Sequence, residues 1–289
     1  MTLTNYQFQF GSFVFGAGTP YQIYSVDGLE GLPELRVQDD NRGYNDGMFS
    51  GRDFLAGRTI TMEILTLAGN GHSAPYNFDL LQSALLPQSQ GLTALTFLLS
   101  ASATQMTMNV RVRSRKTVVD PDYTFGYIRS QVQFFAPDPR YYSDPATSLT
   151  LTPTASLGRT YPLTFNRVYN KASVAQSQAV TNAGNWYTAP AISIVGPCTN
   201  PIIGNVTTGQ YITINIALAN TDTLTVDLNA RTVTLTNASV TNSPRRNQVA
   251  SGSQWFSFAA NSTQYLFFGA SNISVGLTQA TTSYRSAYI

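Results

Sequence analysis

The chain is predicted to be mainly β, with a small barrel or sandwich carrying one short helix in its first half and an antiparallel β-sandwich in its second. Apolar and polar residues alternate along many short segments, whereas helical spacing is convincing in one place only. Charged residues make up 11% of the 289, against roughly 25% in an ordinary soluble domain. Phe and Tyr number 16 each, which suits pleated surfaces with polar but weakly charged exteriors.

Residues 6–15 alternate, with Tyr6, Phe8 and Phe10 against polar neighbours, and PYQIYSVDGL at 20–29 follows as a second extended run. RTITMEILTLAG at 58–69 sets Ile60, Met62 and Ile64 on one face and Thr59, Thr61 and Glu63 on the other. The helix is expected in HSAPYNFDLLQSALLPQ, residues 72–88. There Ser73 caps, Pro75 suits the first turn, Phe78, Leu81 and Leu85 share a face, and Pro87 stops the helix. LTALTFLL at 92–99 reads as a buried strand. QMTMNVRVRSRKTVV at 105–119 turns Met106, Met108, Val110 and Val112 one way and Arg111, Arg113 and Arg115 the other. FGYIRSQVQFFAPDPRYYS at 125–143 opposes Ile128, Val132 and Phe134 to Arg129, Gln131 and Gln133.

From Asp138 to about Lys171, Pro, Ser and Thr dilute the pattern, so domains are expected at 1–150 and 171–289 with a linker at 151–170. In the second half AISIV, QYITINIAL, DTLTVDL, RTVTLTN, QWFSFA, QYLFFGA and ISVGLT read as seven short strands. LTVDLNARTVTL at 224–235 reads as a hairpin turning near Asn229 and Ala230.

The net charge of +2 implies no polyanionic partner. Residues 1–144 hold ten Arg or Lys against thirteen Asp or Glu, a net of −3. Residues 145–289 hold seven against two, a net of +5, and this asymmetry supports two units with different surroundings. The single cysteine, Cys198, permits no intrachain disulfide. The opening residues lack the pattern of a signal peptide, and no apolar run approaches the roughly 18 residues of a spanning helix. Synthesis in a cytoplasm without membrane insertion is expected.

Catalysis should leave clustered titratable groups, and the inventory is thin. His72, the only histidine, sits in a glycine-flanked loop, and Cys198 ends a strand as a small buried side chain. One Cys and one His cannot make a zinc site. Asp39, Asn41, Gly43 and Asn45 alternate like a calcium loop, but its twelfth position is Ser50 and no helices flank it. Asp120/Asp122 and Asp138/Asp144 sit in Asp-Pro and Pro-Asp turn chemistry. No catalytic, cofactor or metal residue is assigned.

Arg111, Arg113 and Arg115 on one strand face suit nucleic acid, yet that strand lacks interleaved aromatics and lies in the acidic half. Pairing with Asp39, Asp40 or Asp53 of the same or a neighbouring subunit explains them better. Trp186, Tyr187 and Trp255 suit stacking on sugar rings or packing in a core.

The order of these signals resembles the distal tail proteins of long-tailed bacteriophages, also called siphovirus-type or minor tail components. The resemblance rests on VDGLEGLPELRVQDDNRGYNDGMFSGRDFLAGRTITMEI, the proline-stopped helix, VQFFAPDPRYYS, TNAGNWYTAPAISIVGPCTNPIIGN, the hairpin and the terminal YRSAYI. It implies a tail-tube-like split barrel or sandwich whose copies join into a ring, a hexamer in that family, and a galectin-like C-terminal sandwich. It further implies a non-enzymatic virion adaptor at the tail tip, assembled in the host cytoplasm. Its partners would be the tail tube protein and the tip, hub and baseplate proteins, with DNA passing through the channel as cargo. Glycines 43, 47, 51 and 57 would let the run at 39–64, which packs acids, arginines and glycines together, bend, and Asp39, Asp40, Arg42, Arg52, Asp53, Arg58, Arg111, Arg113 and Arg115 would fix one subunit against the next. The alternative is a carbohydrate-binding host-recognition module that stacks a cell-surface glycan on Trp186, Tyr187 and Trp255.

Overall fold

The computed structural model describes residues 3–87, 91–100, 103–153, 177–274 and 276–289. They form two compact units, Met1–Asp144 with Tyr288–Ile289, and Pro145–Ala287. The chain divides six residues before the expected border at 150. Of the expected linker, only 151–153 falls within the described residues.

In the first unit, β1 (Gln7–Phe10) turns through Gly11, at φ +60°, into β2 (Phe13–Gly16). The alternation read as one strand is therefore a hairpin. β3 (Tyr21–Asp27) is followed by four two-residue strands: β4 (Leu35–Arg36), β5 (Asp40–Asn41), β6 (Met48–Phe49) and β7 (Phe54–Leu55). Next come β8 (Arg58–Thr66), α1 (Ala74–Ala84) and β9 (Thr93–Leu98). β10 (Met106–Val118), the one-turn helix α2 (Pro121–Thr124), β11 (Ile128–Ala136) and β12 (Tyr141–Ser143) complete the unit. The main sheet runs β2-β1-β9-β10-β11-β8-β3.

β10 holds this sheet together because its two halves serve different partners. Met106–Val110 pairs with β9 and Arg111–Val118 with β11, and a bulge separates Val112 from Ser114. A bulge adds one residue to one strand, bends it and resets which side chains face which side. The core lies on the face where Ile60, Met62 and Ile64 of β8 meet Val132 and Phe134 of β11 and the helix residues Phe78, Leu81 and Leu85. Phe8 stacks between Phe15 and Phe97, each 5.9 Å away between centroids. Ser73 stands at the N-cap of α1 without a side-chain cap bond. The helix is fastened by Asn77 instead, whose Nδ2 donates to Leu67 O at 2.8 Å while its carbonyl accepts from Tyr21 Oη. The short α2 escapes the sequence reading because Asp120-Pro121 also fits a plain turn; here Asp120 accepts from Tyr123 N as the cap.

The second unit is built from strands. These are β13 (Thr147–Leu151), β14 (Gln178–Asn182), β15 (Ala191–Val195), β16 (Cys198–Asn205), β17 (Gln210–Thr213) and β18 (Ala217–Leu218). They continue with β19 (Thr223–Asp227), β20 (Thr232–Thr236), β21 (Ser243–Pro244), β22 (Ser262–Ser271) and β23 (Gln279–Tyr284), whereas the last strand, β24 (Ala287–Tyr288), pairs with β12 in the sheet of the first unit. One sheet runs β13-β23-β15-β19-β20-β21 and the other β14-β22-β16-β17, with β18 beside β16. Ile192, Ile194, Leu224 and Val226 of the first meet Ile203, Ile212, Leu266 and Phe268 of the second in one core. That is an antiparallel β-sandwich.

The expected hairpin joins β19 to β20. Asp227 Oδ1 accepts from both Asn229 N and Ala230 N at 2.8 Å, and Arg231 takes the left-handed φ of +55°. Two expected strands are absent. QWFSFA forms a single bridge, Phe258 to Thr188, although Phe256 and Phe258 are buried, and ISVGLT contributes no strand among its described residues.

Candidate assembly surface

The run that packs acids, arginines and glycines forms a ribbon. β4 pairs with β7 and β5 with β6, Ala56 N donates to Glu34 O at 2.8 Å, and Arg42 N donates to Gly47 O at 3.3 Å. Its legs are Glu34–Arg42 and Gly47–Ala56, roughly 30 Å long at about 3.3 Å per residue. Two of its glycines are steric necessities. A Cβ at Gly51 would sit 1.9 Å from Gln38 O across the ribbon, and one at Gly57 would sit 2.5 Å from the Phe135 ring. Gly47 supplies φ +95° at the tip, while Gly43 has open space and an ordinary φ, so the bend does not depend on it.

Every residue from Glu34 to Phe54 is exposed. Tyr44 is 103% exposed and Phe49 61%, and Leu35, Val37 and Met48 are exposed with them. A two-stranded ribbon is marginal in water, so a bare one this long with apolar side chains on it lacks a covering surface. Its arginines lie on its own rings: Arg42 is 5.1 Å from the Phe49 centroid, and Arg36 and Arg52 are 5.6 and 5.4 Å from that of Phe54. Asp39 accepts from Gly51 N at 2.9 Å and ties the legs together. Glu34, Asp40, Asp46 and Asp53 form no ion pair among the described residues.

Arg58 corrects the expectation that it faces another subunit. It is 2% exposed. Its Nε donates to Pro139 O at 2.9 Å, and its Nη1 reaches Gly28 O at 3.0 Å, Gly31 O at 2.6 Å and Leu29 O. The guanidinium also lies 5.7 Å from the centroid of the Tyr141 ring, on which Tyr288 stacks at 6.0 Å. Burial lowers the Arg58 pKa and raises that of Tyr141, but a guanidinium stays charged. Arg58 is the clasp that closes the neck of the ribbon.

The arginine stripe is also redistributed. The bulge places Arg111 opposite Phe135 on the outward face and Arg115 opposite Val132 on the core face, where Arg115 Nη1 donates to Gln82 O at 2.7 Å near the end of α1. Arg113 swings over the same ring as Arg111, at 4.7 and 5.6 Å from the Phe135 centroid. Ser114 and Lys116 face outward opposite Gln133 and Gln131. Neither Arg111 nor Arg113 has a carboxylate partner among the described residues, and Arg111 Nε is shielded from water without an acceptor. Sequence reasoning missed Phe135 and Lys116, because only the bulge groups them with Arg111.

The titratable residues considered for chemistry are in structural use. Asp122 pairs with Arg129 at 3.4 Å, Asp138 holds Arg140 at 2.7 Å and Tyr142 Oη at 2.7 Å, and Asp144 accepts from Gln105 at 2.7 Å. His72 stacks on Tyr76. Cys198 is buried, which pushes its thiol up to about 11. Among the described residues no His, Cys, Asp and Glu cluster could hold a metal ion, and no helix is long and apolar enough to cross a membrane. Trp186 packs at a tilt of 33° against the half-exposed Tyr187, with its own Nε1 buried and without a partner among the described residues. Trp255 packs against the second core under Arg246, 5.8 Å from its ring centroid.

The chain shares its fold with solved proteins of a phage adsorption apparatus and a phage baseplate. It aligns with the SPP1 Dit protein, described as a paradigm of the hub adsorption apparatus in phages that infect Gram-positive bacteria, at a TM-score of 0.65 and 13% identity. That alignment covers 98% of this chain and 99% of the other. It also aligns with a chain of the phage p2 baseplate in its activated conformation, solved with Ca and with Sr, at TM-scores of 0.51, 13% and 12% identity, and 96% and 97% coverage. At such identities the likeness is one of fold. No curated protein matches the sequence. Residues 183–288, all but Tyr288 in the second unit, match the family described as siphovirus-type tail component, C-terminal domain. The resemblance to distal tail proteins is thereby borne out, in family terms for the second unit and in fold for the whole chain.

Proposed function

We propose that this chain is a structural component of a phage tail tip. Copies close side by side into a ring, six by the resemblance, that joins the tail tube to tip and baseplate proteins and surrounds the DNA channel. One observation carries this reading: the ribbon from Glu34 to Phe54 is exposed along its whole length and finds no cover among the described residues of its own chain. Burying an exposed Leu, Met or Phe side chain yields about 1.5–3 kcal/mol, so covering one ribbon gains on the order of 10 kcal/mol before the cost of association. A closed ring provides that cover to every copy by repeating one heterologous contact. Edge strands that would otherwise invite aggregation become seams.

Native mass spectrometry of the purified protein, alone and with its tail tube protein, tests this. The expected species is six times the 31.4 kDa chain mass. A monomer under both conditions contradicts the reading.

A further inference from the structure

We propose that the distal acids of one copy's ribbon, Asp40 and Asp46, dock on the basic ladder that Arg111, Arg113 and Lys116 present around Phe135 on the next copy. This rests on the ring reading and names the contact that closes the ring.

The two surfaces are complementary in charge and in what each lacks. Residues 30–57 carry six acids against three arginines, a net of −3. β10 carries Arg111, Arg113, Arg115 and Lys116 and no acid, and Arg115 is withdrawn to the end of α1. Along the outward rows of β10, β11 and β8, Glu63 is the only carboxylate, set opposite Gln131, while Arg129 is already paired with Asp122. Three cations therefore face outward without carboxylate partners among the described residues. The two guanidiniums set over the Phe135 ring form a preorganised receptor for carboxylate oxygens. Asp39 is engaged by Gly51, and Glu34 and Asp53 lie at the neck end, where β4 pairs with β7, which leaves Asp40 and Asp46 as the acids nearest the ribbon's tip.

The second copy is the occupant favoured over DNA, the other polyanion a ring would meet. The exposed ribbon of an identical chain supplies both the acids and the apolar side chains Tyr44, Met48 and Phe49 beside them. Those aromatics match a ladder whose centre is itself a ring.

The test is a charge swap in the full chain, with circular dichroism to verify folding. Arg111→Glu with Arg113→Glu, and separately Asp40→Arg with Asp46→Arg, should each weaken assembly by more than about tenfold while leaving the fold intact. Each variant fails alone, yet mixed together they should assemble in alternation, because every acidic ribbon then meets a basic ladder and every basic ribbon an acidic one. One chain carrying all four changes should also assemble. Variants that assemble like the wild type, or a mixture and a quadruple variant that both fail to recover, would overturn the inference while wild-type rings keep the ring reading standing. A ladder variant that assembles normally but loses retention of double-stranded DNA would assign the ladder to DNA instead. A wild type that never assembles removes both.

Discussion

Arg58 shows how one side chain sets the base of the candidate surface. Its guanidinium gathers carbonyls from Gly28, Leu29, Gly31 and Pro139, so both roots of the ribbon and the turn after β11 meet on one group. Replacing it by Met leaves buried carbonyls without donors, each unmade bond costing about 1–3 kcal/mol. Arg58→Met is expected to lose about 2–4 kcal/mol in urea denaturation monitored in the first unit, and an unchanged midpoint would remove the clasp. At Gly57, a Cβ would strike the Phe135 ring, so Gly57→Val is expected to cost about 1–3 kcal/mol through overpacking, read as a lower thermal midpoint. Cys198 has the opposite character, a buried thiol whose pKa rises from 9.0 to about 11 by desolvation. Above pH 9 the unfolded chain releases a proton that the folded chain keeps, so stability falls as pH rises from 9 toward 11 and is unaffected below 9. Alkylation by iodoacetamide at neutral pH should proceed only on unfolding, and rapid labelling of native protein would contradict this placement.

At the scale of elements, the ribbon is separable from the sheet that bears it. Its two-residue strands lend nothing to the core, and the residues from Glu34 to Phe54 are exposed throughout. Replacing 35–55 with a short Gly-Ser turn is expected to leave the thermal midpoint within a few degrees while abolishing assembly, as measured by light scattering on a sizing column; assembly that survives would show the ribbon is not the seam.

Legibility in the sequence follows the same boundaries. Ile60, Met62 and Ile64 were readable because nothing interrupts their period of two. The arginine stripe misled because the bulge between Val112 and Ser114 carries no glycine to mark it, and one inserted residue moves Arg115 to the other face. β16 was hidden by Pro201, which the strand tolerates because its register shifts between Thr199 and Ile202 and Asn200 takes φ +50°. β23, QATTSY, has too little apolar character to read, since Thr282 fills a core position. The ribbon was legible as a special run but not as a ribbon, because two-residue strands have no periodicity. Arg58 looked like a surface charge because its acceptors lie 27 to 81 residues away in sequence.

For the whole molecule, two cores of similar make serve different ends. The first unit combines a continuous sheet and a helix with an exposed ribbon and a basic ladder that has no carboxylate partner among the described residues. The second is a sandwich whose family match is to a tail component. On the proposed reading, the first unit is completed only by a neighbouring copy, so assembly and completion are the same event. The most direct measurement is electron cryo-microscopy of the chain assembled with its tail tube protein, resolving residues 34–54 of each copy. The expected result is a closed ring in which every ribbon lies against the next copy, Asp40 and Asp46 meeting Arg111 and Arg113. Ribbons folded back on their own unit, or standing free in solvent within a formed ring, would contradict it.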